Sequence, residues 1–291
     1  MCCFLNSKTA GNMIQHTATF SVSDNLELFY RKWVPGKDPD AVIILVHGGG
    51  DHSGRYSNVV DYFLPQNYLL FAYDWRGHGK SPGKRGHIDD WQQLRNDLGE
   101  FIGFVKNQYP HLPMLLFGHS MGGMKVLDYC LRSKPDITGV ICTSPAIGDL
   151  GIPKVLWPLA RLLNSLKPDI VMPTGLDISA LSRDVDFVKK TKSDPLYHRK
   201  ATPRFGMQVQ ETVVYIHENA HRFSLPLFLV HGLADRIVSI EGSRKFVEKA
   251  KDNDIFYKEY PGGYHELFND HVKDEVLQDM NCWMDGILKT R

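Results

Sequence analysis

Gly118-His119-Ser120-Met121-Gly122, followed by Gly123, sets one serine among glycines where an apolar run meets a helical pattern. Met114-Leu115-Leu116-Phe117 reads as a buried strand, and Met124, Leu127, Cys130 and Leu131 recur at helical intervals from Met121 to Arg132. Strand, tight turn and helix in that order expose a serine Oγ at the tip of a strained turn, and the glycines remove Cβ atoms that would clash there. The sharp reading is a nucleophilic serine. The bland one is a glycine-rich turn with a passenger serine, because G-x-S-x-G is short enough to occur by chance.

A serine hydroxyl needs a base to take its proton, and the base needs a carboxylate to fix its tautomer and stabilise the imidazolium. In a doubly wound sheet such groups collect at the carboxyl ends of parallel strands, in the chain order serine, acid, histidine. Asp235 fits the acid, since Leu227-Phe228-Leu229-Val230-His231 reads as a strand and ends in Gly232-Leu233-Ala234-Asp235. His265 fits the base, arriving after the next strand and Pro261-Gly262-Gly263-Tyr264. Asp186, Asp194, Asp252 and Asp254 fall in an insertion or at a helix-to-strand connection, on the wrong edge of the sheet. With 13 histidines in the chain, topology rather than composition selects His265, and His47, His119, His231 and His271 are assigned structural hydrogen bonds. Acyl transfer also builds an oxyanion that needs donors already in place. The backbone N-H of Met121 is one, and the loop His47-Gly48-Gly49-Gly50 supplies the other, at Gly49.

The elements that must hold these residues alternate between strand and helix. An opening hairpin is expected from Thr17 to Val22 and Leu26 to Val34 as edge decoration, then buried strands at Ala41 to Val46 and Tyr68 to Tyr73. Asp89 is expected to cap a long helix whose stripe is Trp91, Leu94, Leu98, Phe101, Val105 and Tyr109. Gly139 to Thr143 continues the sheet; from Ile147 to about Thr202 prolines interrupt the alternation, although Val155 to Leu166 is an apolar helix. Strands at Leu227 to His231 and Ile255 to Glu259 and a closing helix then resume it. The expected fold is α/β, a mostly parallel central sheet with helices on both faces, with residues 1–146 and 203–291 as core and 147–202 as an inserted helical cap.

The chain has 291 residues, 43% hydrophobic and 23% charged, with net charge +1, so no basic field points to nucleic acid. Five cysteines at irregular spacing, two of them (Cys130 and Cys142) in buried patterns, read as reduced thiols. No apolar run is long enough to span a membrane and the first residues lack a signal-peptide pattern, so a cytosolic protein is expected. Cys2-Cys3-Phe4-Leu5 is taken as a frayed terminus in preference to an acylation site.

Together these residues resemble the α/β-hydrolase superfamily and, within it, the monoacylglycerol lipase and lysophospholipase group. The resemblance rests on His47-Gly48-Gly49 through Asp51-His52-Ser53-Gly54-Arg55-Tyr56, Asp74-Trp75-Arg76-Gly77-His78-Gly79, the serine turn, Ser193-Asp194-Pro195-Leu196, Gly232 to Asp235, and Tyr264-His265-Glu266, in order along nearly the whole chain. It implies a Ser120, Asp235 and His265 triad, an oxyanion hole at Gly49 and Met121, and a cap over residues 147–202. It further implies a monoacyl lipid or other ester substrate, with no metal or organic cofactor, and a cap that rests peripherally on membranes. Leu156, Leu159 and Leu163 are the candidate acyl contacts, with Val155, Trp157 and Leu162 beside them; Asp51 and Arg55 are candidate polar contacts, unless they form a salt bridge that fixes the loop. Where mammalian monoacylglycerol lipases carry a second histidine three positions after the catalytic one, this chain has Phe268.

His217-Glu218-Asn219-Ala220-His221 with Glu241 downstream also matches a zinc-peptidase pattern, but the segment between holds a strand and the acid loop already assigned. Two rival functions fit the same fold: a short-chain carboxylesterase or thioesterase, and a noncatalytic binder that keeps only the pocket. Oligomeric state is not encoded in these motifs.

Overall fold

Ala41, Ile43 and Leu45 of one strand turn to one side of the sheet and Val42, Ile44 and Val46 to the other, and all six are buried. A strand without a polar face belongs in the middle of a sheet covered on both sides, and the computed structural model, which describes residues 14–148, 157–250 and 254–289, places it there. The strands are β1 (Ile14–Ser21), β2 (Glu27–Val34), β3 (Ala41–Val46), β4 (Tyr68–Tyr73), β5 (Met114–His119), β6 (Gly139–Thr143), β7 (Met172–Pro173), β8 (Lys200–Ala201), β9 (Leu227–Gly232) and β10 (Ile255–Tyr260). Eight of them form one sheet in the order β1-β2-β4-β3-β5-β6-β9-β10. The β1–β2 and β2–β4 pairs are antiparallel and the remaining pairs parallel. The hairpin is therefore edge decoration on one side only, as β2 pairs inward with β4.

The helices are α1 (Ser57–Phe63), α2 (Trp91–Gln108), α3 (Met121–Ser133), α4 (Trp157–Leu166), α5 (Val185–Ser193), α6 (Pro203–Asn219), α7 (Glu241–Lys249) and α8 (Lys273–Lys289). Apolar stripes of α2, α3, α6 and α7 pack on one face of the sheet, and those of α1 and α8 on the other. The long helix α2 is capped by Asp90, one residue beyond the expected Asp89; the Asp90 side chain accepts the Gln92 N-H at 2.8 Å.

From β3 the chain steps outward to β4 and then returns to lay β5 on the other side of β3. This reversal opens a crevice at the carboxyl ends of β3 and β5, where Val46 and Gly118 are paired, and ligands of open α/β sheets bind at such a point. Gly122 closes it: a Cβ there would strike the carbonyls of Val46 and His47, so only glycine lets the first turn of α3 press against the end of β3.

Residues 157–202 leave the main sheet. They carry α4, the short β7–β8 pair, α5 and a separate apolar cluster of Ile178, Leu181 and Val188. Helix α4 ends at Leu166 as its apolar run predicts; Val155 and Leu156, the first two residues of that run, lie outside the described residues. Helix α5, which no stripe in the sequence foretells, is capped by Asp184 at the N-H groups of Asp186 and Phe187. The segment is tied to the loops at the carboxyl ends of the strands. Gly50 O accepts the His198 N-H at 2.9 Å, Leu181 O accepts that of Glu266 at 2.8 Å, and Ser182 Oγ donates to Asn269 O at 2.7 Å. Cys130 and Cys142 are buried free thiols; Cys2 and Cys3 lie outside the described residues.

Candidate active site

Ser120 sits between β5 and α3 with φ 54° and ψ −121°, in the left-handed half of backbone space that a residue with a Cβ adopts only under constraint. The constraints are visible. Ser120 N donates to Thr143 O at 3.0 Å, and Ser120 O accepts from Met124 N at 3.1 Å and Ala146 N at 2.9 Å. Its side chain caps no helical N-H and is left to point elsewhere.

It points at His265. Ser120 Oγ lies 2.9 Å from His265 Nε2, and His265 Nδ1 lies 2.7 Å from Asp235 Oδ2. Because Nδ1 faces a carboxylate, it carries the proton of the neutral ring, and Nε2 is left to accept from the serine hydroxyl. Asp235 is fixed in turn: its Oδ1 accepts the N-H groups of Ile237 at 2.8 Å and Val238 at 3.1 Å. Burial opposes ionisation of Asp235, but the charge of His265 and the hydrogen bonds from His231 and His265 outweigh it and hold the carboxyl well below the usual range. For His265 burial works against the proton, while the Asp235 charge and hydrogen bond raise its pKa above the ordinary 6.5. The arrangement can take a proton from Ser120 and hold it as an imidazolium.

Gly49 and Met121 are also brought together, a Cβ on Gly49 running into the Met121 Sδ. The Met121 N-H belongs to the first turn of α3, where no intrahelical acceptor exists and the helix dipole favours negative charge. The loop that carries Gly49 is held by His47, whose Nε2 accepts the Trp75 N-H at 3.0 Å and whose Nδ1 donates to Gly48 O at 2.8 Å. Gly50 follows with φ 72°, and a Cβ there would collide with the His198 carbonyl.

Asp51 and Arg55 are both buried and paired with each other at 2.8 Å, so of their two readings the geometry carries the loop-fixing salt bridge. Arg55 also reaches Glu266 at 3.1 Å and Thr191 at 2.8 Å, and its guanidinium lies over the rings of Phe187 and Tyr197. One side chain thus joins the Gly49 loop, α5 and the residue next to His265. Burial raises the Glu266 pKa even though Arg55 opposes it. Sequence reasoning missed Glu266 and Thr191 as partners, because a buried ion pair is set by packing between distant segments.

Among the expected acyl contacts, Leu163 is half-buried on α4, Leu159 belongs to the same helix, and Leu156 lies outside the described residues. Phe268 is in the core, stacked on Tyr56 at 5.2 Å and edge-on to His119 at 5.0 Å. Of the histidines assigned structural roles, His119 bonds Thr143, His231 bonds Asp235 and Ser243, and His271 is exposed. In the zinc-like pattern His217 gives its Nε2 to Ile147 O at 2.7 Å, and His221 falls past the end of α6 in a separate 3-10 turn, so the two do not share a helical face. Asp194, a competing acid, is paired with His52 at 2.8 Å.

A strand order that reverses beside β3, a serine on a strained strand-to-helix turn and a serine–histidine–aspartate chain define an α/β-hydrolase. The pattern of the serine aminopeptidase S33 family matches residues 37–272, and the chain belongs to that family. A monoacylglycerol lipase of Mycolicibacterium smegmatis is 34% identical over 268 residues, covering 91% of this chain and 95% of the relative. A monoglyceride lipase of Rattus norvegicus is 34% identical over 269 residues, 90% of this chain and 88% of the relative. The crystal structure of Paleococcus ferrophilus monoacylglycerol lipase superposes with a TM-score of 0.79 at 32% identity, covering 96% of this chain and 100% of the other.

Proposed function

We propose that this protein is a serine hydrolase that cleaves carboxylic esters of monoacyl lipids through an acyl-enzyme. The observation that carries the chemistry is the unbroken chain Ser120 Oγ, His265, Asp235 at 2.9 and 2.7 Å. His265 deprotonates Ser120 as Oγ attacks the ester carbonyl, and the N-H groups of Gly49 and Met121 receive the oxyanion. The alcohol leaves with the proton from His265. Water, deprotonated by the same ring, then attacks the acyl-enzyme and frees the fatty acid.

The substrate class is supported by relatives named as monoacylglycerol lipases along nine-tenths of the chain, which favours lipid esters over the peptides in the family's name. Residues 147–202 act as the cap, and its acyl contacts are Leu163, Leu159 and Leu156. Exposed Leu162, Leu166, Ile170, Val171 and Met172 give the same segment an apolar outer surface suited to peripheral contact with a membrane. No helix among the described residues is long and apolar enough to cross one. Phe268 offers no polar atom to the leaving alcohol, and selectivity for glycerol must come from elsewhere. A panel of monoacylglycerol, lysophosphatidylcholine, p-nitrophenyl esters of graded length and an aminoacyl p-nitroanilide tests this function. Long-chain monoacylglycerol is expected to give the highest kcat/KM; turnover of the anilide alone would overturn it.

A further inference from the structure

Asp235 has a second histidine. His231 Nε2 lies 3.0 Å from Asp235 Oδ2, the same oxygen that faces His265, and 3.2 Å from Val238 O. On the far side of the ring, Nδ1 is 2.8 Å from Ser243 Oγ. His231 and Ser243 are both fully buried, so no solvent competes for these contacts. The partners fix one ring nitrogen: Nε2 faces a carboxylate and a carbonyl, which only accept, and must carry a proton, while Nδ1 pairs with the serine hydroxyl, which can serve it as donor or acceptor. The Nε2-H of His231 therefore donates to the oxygen on which His265 depends. The hydrogen bonds run in one line from Ser243 through His231, Asp235 and His265 to Ser120.

We infer that His231 is a positioning residue for the proton transfer, acting through Asp235 on the orientation and basicity of His265. Two backbone N-H groups hold Oδ1, and among the described residues Oδ2 is held by His231 and His265, so without His231 it keeps only the base itself. The second donor keeps the carboxylate plane turned so that a lone pair meets Nδ1 of the base. It also draws electron density from Oδ2 and tempers the pull of the carboxylate on the imidazolium. Its removal leaves a stronger acceptor, so His265 binds its proton more tightly and the acid limb of activity moves to higher pH. The other titratable groups facing His265 are Glu266, Asp51 and His119, and that facing His231 across the β9–β10 pair is Glu259; all stay in place when residue 231 changes. The position follows from the geometry of the strand end. His231 is the penultimate residue of β9, and the turn Gly232 to Asp235 folds the acid back over its ring.

The inference rests on Ser120 being the nucleophile, and the test separates the two. kcat, KM and the pH profile of kcat/KM are measured on a p-nitrophenyl ester for wild type, Ser120→Ala, His231→Phe, His231→Gln and Ser243→Ala, each with a thermal melt. Retained activity in Ser120→Ala would sink the hydrolase reading itself. With Ser120→Ala inactive, His231→Phe is expected to lower kcat roughly tenfold to a hundredfold, the range seen when an orienting partner of a metal-site histidine is lost. KM should hold and the acid limb should rise by about half a pH unit. His231→Gln, whose amide donates from a similar place, is expected to recover most of kcat and return the acid limb to its wild-type position. Ser243→Ala, which frees the ring, should shift the limb the same way by less. Wild-type kinetics in His231→Phe would overturn the inference, and so would a loss of activity with the acid limb unmoved, which is the mark of a purely structural role. If His231→Phe fails to fold, Ser243→Ala and His231→Gln decide: an unmoved limb in Ser243→Ala, or a shifted one in His231→Gln, counts against it.

Discussion

At the scale of single residues, the proposed hydrolysis turns on the proton of His265, whose Nε2 lies 2.9 Å from Ser120 Oγ. The Asp235 charge raises the His265 pKa above 6.5 against the opposing effect of burial, so the base is free only at higher pH. The expected pH profile of kcat/KM is an acid limb above 6.5 and full activity on its alkaline side. Asp235→Asn should remove the charge that favours the imidazolium, lowering kcat by roughly a thousandfold or more with little change in KM, as measured on a soluble ester. That Ser120, Asp235 and His265 come together was legible from sequence because topology places each of them: the serine between a buried strand and a helix, the acid after β9 and the base after β10. His231 was legible only as some hydrogen bond. Among 13 histidines its partner is chosen by how the turn at 232–235 folds back, and no spacing rule states that.

At the scale of elements, two buried charges carry testable weight. Arg55 joins the Gly49 loop, α5 and the His265 loop, so Arg55→Ala strands Asp51 and Glu266 without their cation. A denaturant titration should show a loss of roughly 3–5 kcal/mol, the cost of breaking a buried pair by removing one partner. Lys125 of α3 is fully buried, bonded to Tyr73 Oη and 4.5 Å from the Trp75 ring centroid. Burial pushes its pKa down to about 7 from an ordinary 10.5. Between those values the unfolded chain holds more protons than the folded one, so this lysine makes stability rise with pH through that window. Lys125→Met should melt higher than wild type at neutral pH and show a weaker rise as pH increases. The strands were the most legible elements, since β3, β4 and β6 match the apolar runs that foretold them. Helix α5 was not, because Val185 and Val188 are too few to mark a stripe and most of its residues are polar.

At the scale of the whole molecule, two layers of helices hold a sheet whose order reverses at β3, and residues 157–202 are tied to the loops at the carboxyl ends of its strands. The alternation of strands and helices made the core legible; the insertion was visible only as a break in it, since its placement depends on ties such as His198 to Gly50 and Asp194 to His52. If the insertion is the surface that meets lipid, Leu162→Glu with Leu166→Glu should reduce turnover of monoacylglycerol in vesicles severalfold and leave a short soluble ester unaffected. Equal effects on both substrates would instead mean a damaged fold. The central claim is that Ser120 is the nucleophile of an ester hydrolase. Mass spectrometry of the protein after reaction with a fluorophosphonate, run beside monoacylglycerol turnover, tests it most directly: the adduct is expected on Ser120, with turnover lost in step with labelling, and an adduct elsewhere or full turnover by labelled protein would contradict it.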